Sequence, residues 1–494
     1  MTSNLKTRKF AHGLLLIILL ALSIISCKES KITNEIEEEE TYESKYEVET
    51  ISDVDIIVGT LKQEILNSKT EIHSEGVSYY VSNNGNDSND GKSPATAWAT
   101  LSKINTAYLV YGSVVHFERG GTWRGILITK SGISYSAYGE GEKPKIYGSL
   151  QNYSVKENWK ITNIPNVYVY DKEFDKDAGL LVFNEGEAWS YKKVIDIDGF
   201  SGSIGDLKKD LEMYHNVDDK KIYLYSANGN PADRFSSIEF CLKNTIVQIM
   251  GDNTHIDNLC VKYGGAHGIA SGSRNNLTIT NCELGWIGGS ILSGNLRYGN
   301  AIQIWGSCKN FKVDNCYIYQ IYDTGITHQY KNETSTTTMV MENVEYSNNL
   351  IEYCTWSIEY YLNQPNSPND IMKNIRFTQN VCRFAGYGWG EQRPNKYYAH
   401  IKGGIVGKVI KFPAENFFID GNIFDRSGQM LLSISALKEG HLPEMKNNIY
   451  IQENRKDFGM YGVDVNKVYP FNLGIGELLK QKGIEENPTI IIVD

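Results

Sequence analysis

The sequence predicts an all-β protein, a right-handed parallel β-helix with a small inserted antiparallel β-domain. Composition is the first ground. In 494 residues, 45 Gly and 32 Tyr stand against 11 Pro, with many Asn and short apolar runs, which favours turn-rich β structure over a helix bundle. Periodicity is the second. Five segments share one pattern, an Asn followed by alternating apolar residues and then an Asn or Cys six positions on: Asn276 to Cys282, Asn310 to Cys316, Asn343 to Asn349, Asn374 to Asn380 and Asn416 to Asn422. Their end positions lie 34, 33, 31 and 42 residues apart. A solenoid coil needs only about two dozen residues, so each turn carries a loop of roughly ten, and such loops collect on one face. Parallel crossovers are right-handed, which fixes the hand of the coil.

Taken in order, the chain opens with Lys6, Arg8 and Lys9, an apolar run over residues 14–25, and then Ile24-Ile25-Ser26-Cys27. A basic stretch, an apolar stretch and a small residue before cysteine resemble the bacterial lipoprotein signal. The resemblance implies cleavage after residue 26, a lipid on Cys27 and anchoring in the bacterial outer membrane. Lys28-Glu29 and the glutamates at 37–40 look like the acidic export tag of surface lipoproteins in Bacteroidetes-type bacteria, which implies exposure at the cell surface. Residues 27–75 read as an acidic flexible stalk, since residues 28–75 hold fourteen acidic side chains against five lysines and few aromatics. That stretch accounts for most of the net charge of −10. The remainder is nearly balanced, without the basic excess of a nucleic-acid binder.

Residues 76–149 read as an N-terminal cap and the first coils, beginning with the alternating strand at 77–82 and the turn formers at 83–91. Residues 150–240 break the repeat with strand and tight-turn patterns, such as 180–184, 221–226 and 228–232, and form the inserted β-domain. Residues 241–455 are the repeat proper with active-face loops, and 456–494 a C-terminal tail or cap. Seven cysteines past the stalk, at 241, 260, 282, 308, 316, 354 and 382, have no CxxC pair and no metal-finger spacing. They are expected as free core thiols, with no metal centre. The recurrent Asn349, Asn380 and Asn422, continued by Cys316 and Cys282, are read as architecture, side-chain amides bonding from rung to rung about 4.8 Å apart.

Chemistry is expected in the loops after each repeat position. Asp323 sits seven residues past Cys316 and Glu359 ten past Asn349, so neighbouring coils bring two carboxylates to one face. A separation of roughly 5 to 10 Å is the range in which paired acids cleave glycosidic bonds. Asp323 and Glu359 are therefore the candidate catalytic pair, and one of them must be held protonated near neutral pH. His328 is expected on the same strand parity as Glu359. Trp389 offers a flat face for a sugar ring, Arg393 and His400 suit an anionic sugar, and Arg297 and Glu391 complete the candidate substrate-binding set.

The opening at 77–123, with its Ser93-Pro94-Ala95-Thr96-Ala97-Trp98 stretch, looks like the first coil of secreted right-handed β-helix proteins. Residues 250–435 resemble the pectate lyase and polygalacturonase superfamily of carbohydrate-active proteins. The polygalacturonase motif set is not reproduced, since His267-Gly268 stands alone and His400-Ile401-Lys402 lacks the arginine. The paired arginines of pectate lyases are also missing. The resemblance implies a poly- or oligosaccharide partner, and the carboxylate pair points to a surface-anchored glycoside hydrolase, monomeric and without a cofactor. The alternatives are a lyase acting on a uronic-acid glycan, with Lys402, His400 or a tyrosine as base and Arg393 or Ca²⁺ neutralising the acid, or a non-catalytic glycan-binding lipoprotein.

Overall fold

The computed structural model describes residues 44–493 apart from 70–71, 332–333, 335, 364–369, 395, 404–413 and 437–438. The signal, Cys27 and the acidic run at 37–40 lie outside the described residues.

Short parallel strands stack coil upon coil into three faces. The first face runs through ten described strands from Ser78–Val81 to Glu444–Lys446, every one parallel to its neighbours. The second begins at Thr122–Arg124 and Lys145–Tyr147 and ends at Ile449–Glu453 and Thr489–Val493. The third begins at Leu127–Ile128 and Val247–Ile249 and ends at Met430–Ser435 and Asp457–Gly462. Two long strands, Tyr317–Lys331 and Leu350–Asn363, bend and serve both of the last two faces. Inside, like residues stack on like. Ile269, Ile302, Ile326, Ile358, Ile401 and Leu432 form one continuous column, all fully buried. The seven described cysteines are free and buried.

The asparagines of the repeat make the corners. Asn253, Asn276, Asn310, Asn343, Asn374 and Asn416 all sit at φ between 51 and 60°, the left-handed region that Asn tolerates better than other side chains. Each amide from Asn276 to Asn416 donates from Nδ2 to the Oδ1 of the coil before, at 2.6–3.1 Å. A second, buried column follows six positions on. Asn349, Asn380 and Asn422 each donate through both backbone N–H and Nδ2 to the Oδ1 of the next Asn, Asn448 closing the run, at 2.9–3.1 Å. Asn448 then donates to Glu485 at 3.0 and 3.2 Å. The inner Asn ladder is thus architectural, and it ends on the buried carboxyl of Glu485, four residues past the C-terminal helix Ile475–Gln481.

Two boundaries differ from the sequence reading. Residues 51–67, placed there within the flexible stalk, form a helix, α1 (Ile51–Asn67), opened by a capping box between Thr50 and Asp53. Val54, Val58, Leu61 and Ile65 make an apolar stripe at helical spacing. That stripe packs on Tyr317, Leu350, Val381, Ile423 and Ile449, outward residues of the second face. Composition hid this because nine of the fourteen acidic residues of 28–75 precede α1, at 29–49, and set the character of the whole stretch. Secondly, strands at 457–462 and 489–493 continue the two faces past 455, where a tail or cap was expected, since the last coils lack the repeat's leading Asn.

Between Tyr147 and Val247 the chain leaves the solenoid to form the inserted domain. It comprises a three-stranded antiparallel sheet centred on Ala178–Phe183 and a five-stranded, mostly antiparallel sheet. Its own core includes Trp159, Tyr170, Phe183 and Phe240.

Burial lifts the Glu485 carboxyl from the ordinary glutamate value of 4.5 to about 8, against the hydrogen bonds from Tyr450 and Asn448. The folded chain therefore keeps a proton that the unfolded chain releases above pH 4.5, and stability falls as pH rises from there towards 8. Melting temperature measured across this window should decline in the native chain, and Glu485→Gln should flatten that decline.

Candidate active site

Register decides what reaches the outside. On the third face Gln303, Thr327, Glu359, Lys402 and Ser433 pair in sequence across five coils. They alternate with the buried isoleucine column and so point outward. Two residues further along, Trp305, Gln329 and Tyr361 form a second outward row. Trp305 is 40% exposed and is the open aromatic of this surface.

Asp323 and Glu359 both belong here. Between Ile321 and Thr324 the pairing with the next coil slips by one residue, and Asp323 sits in that irregularity, its N–H bonded to the carbonyl of Gly299. Its Oδ1 lies 3.0 Å from Arg393 Nη1. Arg393 arrives on the turn after a short 3₁₀ segment, Trp389–Gln392. One coil on, Glu359 Oε1 lies 2.6 Å from Lys402 Nζ, and its Oε2 accepts from Thr324 Oγ1 at 3.2 Å. Trp356 joins the two pairs. Lys402 Nζ stands 3.6 Å and the Arg393 guanidinium carbon 4.6 Å from the centre of its ring, so both cations of the site rest on one indole.

Electrostatics couples these groups further. Burial opposes the Arg393 charge, but Asp323, Tyr322 and Glu359 outweigh it and hold the guanidinium above its usual value. Burial first, then the charges of Glu359 and Asp323, push the Tyr361 hydroxyl up, so it stays a phenol. His267 is pushed down to about 4 by burial, opposed by Asp323, and its Nδ1 accepts from Asn300 N–H. It is a neutral imidazole on the Asp323 side of the site. Two further buried polar atoms of this patch, Thr327 Oγ1 and Trp356 Nε1, have no hydrogen-bond partner among the described residues. Unmet groups of this kind are what a hydroxylated ligand satisfies. No three His, Cys, Asp or Glu side chains converge as a metal-ligand group among the described residues.

Five candidates from the sequence do not face this patch. The slip at Asp323 reverses the expected parity, so His328 pairs with Tyr360 rather than sharing the side of Glu359. His328 points into the core, bonded to Gly306 O, and burial lowers it to about 4. His400 is fully buried, bonded to Ser357 Oγ and stacked on Phe424, and is likewise lowered to about 4 by burial. Trp389 shows no exposed surface; its Nε1 donates to Gln320 O and its ring packs on Tyr322. Arg297 is buried too, donating to the carbonyls of Gly289 and Gly179 and lying over the Tyr322 ring. Glu391 is exposed, but in a separate hollow beside Lys192 and Gln392. In their place stand Trp356, Thr327, Tyr361, Gln303 and His267. Counting from Glu359 along the strand, with the slip allowed for, would have found Thr327 and Tyr361.

No protein-family model matches the chain, and no curated protein matches it. Solved structures do. One titled simply a glycoside hydrolase is 10% identical, with 84% of this chain and 96% of that one aligned at a TM-score of 0.46. XylC in complex with xylose is 13% identical over 84% of this chain and 83% of that one, at 0.44. The GH136 lacto-N-biosidase from Eubacterium ramulus is 12% identical over 90% and 70%, at 0.42.

Proposed function

We propose that the chain is a carbohydrate-active enzyme that cleaves a poly- or oligosaccharide by hydrolysis, with Asp323 and Glu359 as its carboxylate pair. The observation that carries the reading is the patch itself. Two carboxylates from neighbouring coils are each held by one cation, the two cations share an indole, and Thr327 Oγ1 and Trp356 Nε1 beside them are unmet among the described residues. Glycoside cleavage needs one carboxyl to protonate the departing oxygen and another to act on the opposite side of the ring. A sugar hydroxyl reaching Thr327 Oγ1 and Trp356 Nε1 lies next to Lys402, and its oxygen competes with Glu359 for the ammonium. Release of Glu359 from Lys402 leaves it free to exchange a proton, while Arg393 holds Asp323 in place. Names borne by solved structures of similar fold, hydrolases and lyases of glycans among them, fit this substrate class.

A lyase is the second reading, favoured by the closeness of Arg393 and Lys402 to one another over Trp356. There Arg393 neutralises a uronate carboxylate and Lys402, once it has given up its proton, serves as base. The chain is further proposed to be an outer-membrane lipoprotein anchored through Cys27 and displayed at the cell surface.

Two measurements test these assignments. General acid–base groups contribute about 10²- to 10⁴-fold, so Asp323→Asn and Glu359→Gln should each lower turnover by that factor on a polysaccharide panel, with far-ultraviolet circular dichroism unchanged. New reducing ends without an unsaturated product support hydrolysis; an unsaturated, ultraviolet-absorbing product transfers the assignment to a lyase; near-native turnover in both variants removes the pair. Separately, Cys27→Ser should move the chain from the membrane to the soluble fraction, since a lipid anchor supplies the buried methylenes that hold it there. Unchanged fractionation refutes the anchor.

A further inference from the structure

The inserted domain meets the solenoid along a groove that the chemistry above does not use. One hollow of about 610 Å³ is lined by Asp177, Lys192, Tyr214, His215, Lys243 and Leu292, among others. A second of about 620 Å³ shares Lys192, Lys193, Val194 and Asn295 with it and reaches Glu391 and Gln392. The turn at its far end is the one that delivers Arg393 to the carboxylate patch. The groove thus leads away from the candidate active site.

Its floor is a built polar cluster. Asp177 takes Lys192 Nζ on both oxygens at 2.6 and 2.5 Å and also accepts from Ile291 N–H at 2.6 Å. His215, 4% exposed, accepts at Nδ1 from Ala178 N–H at 3.0 Å. The ring proton therefore sits on Nε2. That Nε2 is buried and has no hydrogen-bond partner among the described residues. A buried N–H left unmet at the floor of a hollow asks for an acceptor oxygen from outside the chain. The walls are apolar and open: Ile195, Leu292, Val217 and Tyr191 are 41, 50, 64 and 44% exposed, an unusual concentration of bare apolar surface around one groove. Cationic side chains lining the two hollows are matched one for one by carboxylates, so net charge selects no anion.

From these features we infer that the groove is a second glycan site, which takes a neutral sugar unit through a hydroxyl oxygen on His215 Nε2–H and its C–H face on Leu292 and Ile195. It rests on the glycan reading of the protein and adds to it a place for a part of the same chain remote from the bond that is cut. A substrate of several sugar units bridges the two sites over the Glu391–Arg393 turn.

The test uses the full chain labelled with ¹⁵N-histidine, with the His215 signal assigned by His215→Gln. Xylose, glucose and galactose, and then their hexasaccharides, are titrated in turn. The expected result is a saturable shift of the His215 Nε2 resonance with at least one neutral sugar, weakened about tenfold in Leu292→Asp, a change at a half-exposed position. The same shift should appear in Glu359→Gln. No movement with any of these sugars overturns the inference, and movement with galacturonate alone overturns the choice of a neutral ligand. A normal shift combined with full turnover in both carboxamide variants leaves this groove standing and removes the catalytic pair, so the two readings fail separately.

Discussion

Everything in this molecule depends on residues one coil apart being one hydrogen-bonded rung apart. Parallel pairing sets that spacing at about 4.8 Å, and it holds only if every coil turns its corners at the same place. Asparagine secures this in two ways. At φ near 55° it occupies the corner, and its side-chain amide then bonds to the corner above. The inner column does the same in the dry interior, where an unpaired amide would cost about 1–3 kcal/mol. Asn349, Asn380 and Asn422 each donate to the Asn of the next coil and to a backbone carbonyl of the coil before, which makes neighbouring coils mutually dependent.

A stack held this way has two open ends and an outer surface to manage. Sheet edges invite pairing with other chains. The N-terminal coil is covered by its own turn-rich opening, where Trp98 packs on Tyr79. At the other end the Asn column stops at Glu485, just past the C-terminal helix. Along the second face the outward residues Leu350, Val381 and Ile423 are aliphatic, and α1 exists to cover them. The N-terminal segment next to the proposed anchor is therefore part of the folded body from residue 44 onward.

These constraints explain what the sequence disclosed. Repeats at 282, 316, 349, 380 and 422 were legible because architecture forced the same residue into the same place. The solenoid, the insert and the free cysteines all follow from local pattern. Helix α1 was lost because the acidic residues at 29–49 set the composition of the stretch, while its four buried residues formed a short stripe inside it. The site was half legible. Asp323, Glu359 and Arg393 stand where loop offsets put them, yet His328 faces the core, because a single slipped residue at Asp323 exchanges inside for outside along the rest of its strand; His400, on another strand, is buried against Ser357 and Phe424. Trp389 and Arg297 read as ligands since large aromatic and cationic side chains look alike whether they anchor a turn or await a sugar; only burial separates the two.

That same slip is what makes the patch. In a regular coil Asp323 would be one more rung residue, paired on both sides. Displaced by the irregularity, its carboxyl meets Arg393, which comes from a turn two coils away in sequence order. The cost of holding Arg393 and Lys402 in a nearly dry patch is high, and pairing alone seldom repays the removal of two charges from water. Here the Trp356 ring adds a face to both cations, and each carboxylate adds a counter-charge within 3.0 Å. An arrangement so fully compensated has a consequence for chemistry. On the proposed reading, a ligand that enters must offer oxygens good enough to replace Asp323 or Glu359 on its cation, and only such a ligand releases the carboxylate to act. Selectivity and activation would then be a single event, set by how well a sugar's hydroxyls compete for the two cations above one indole.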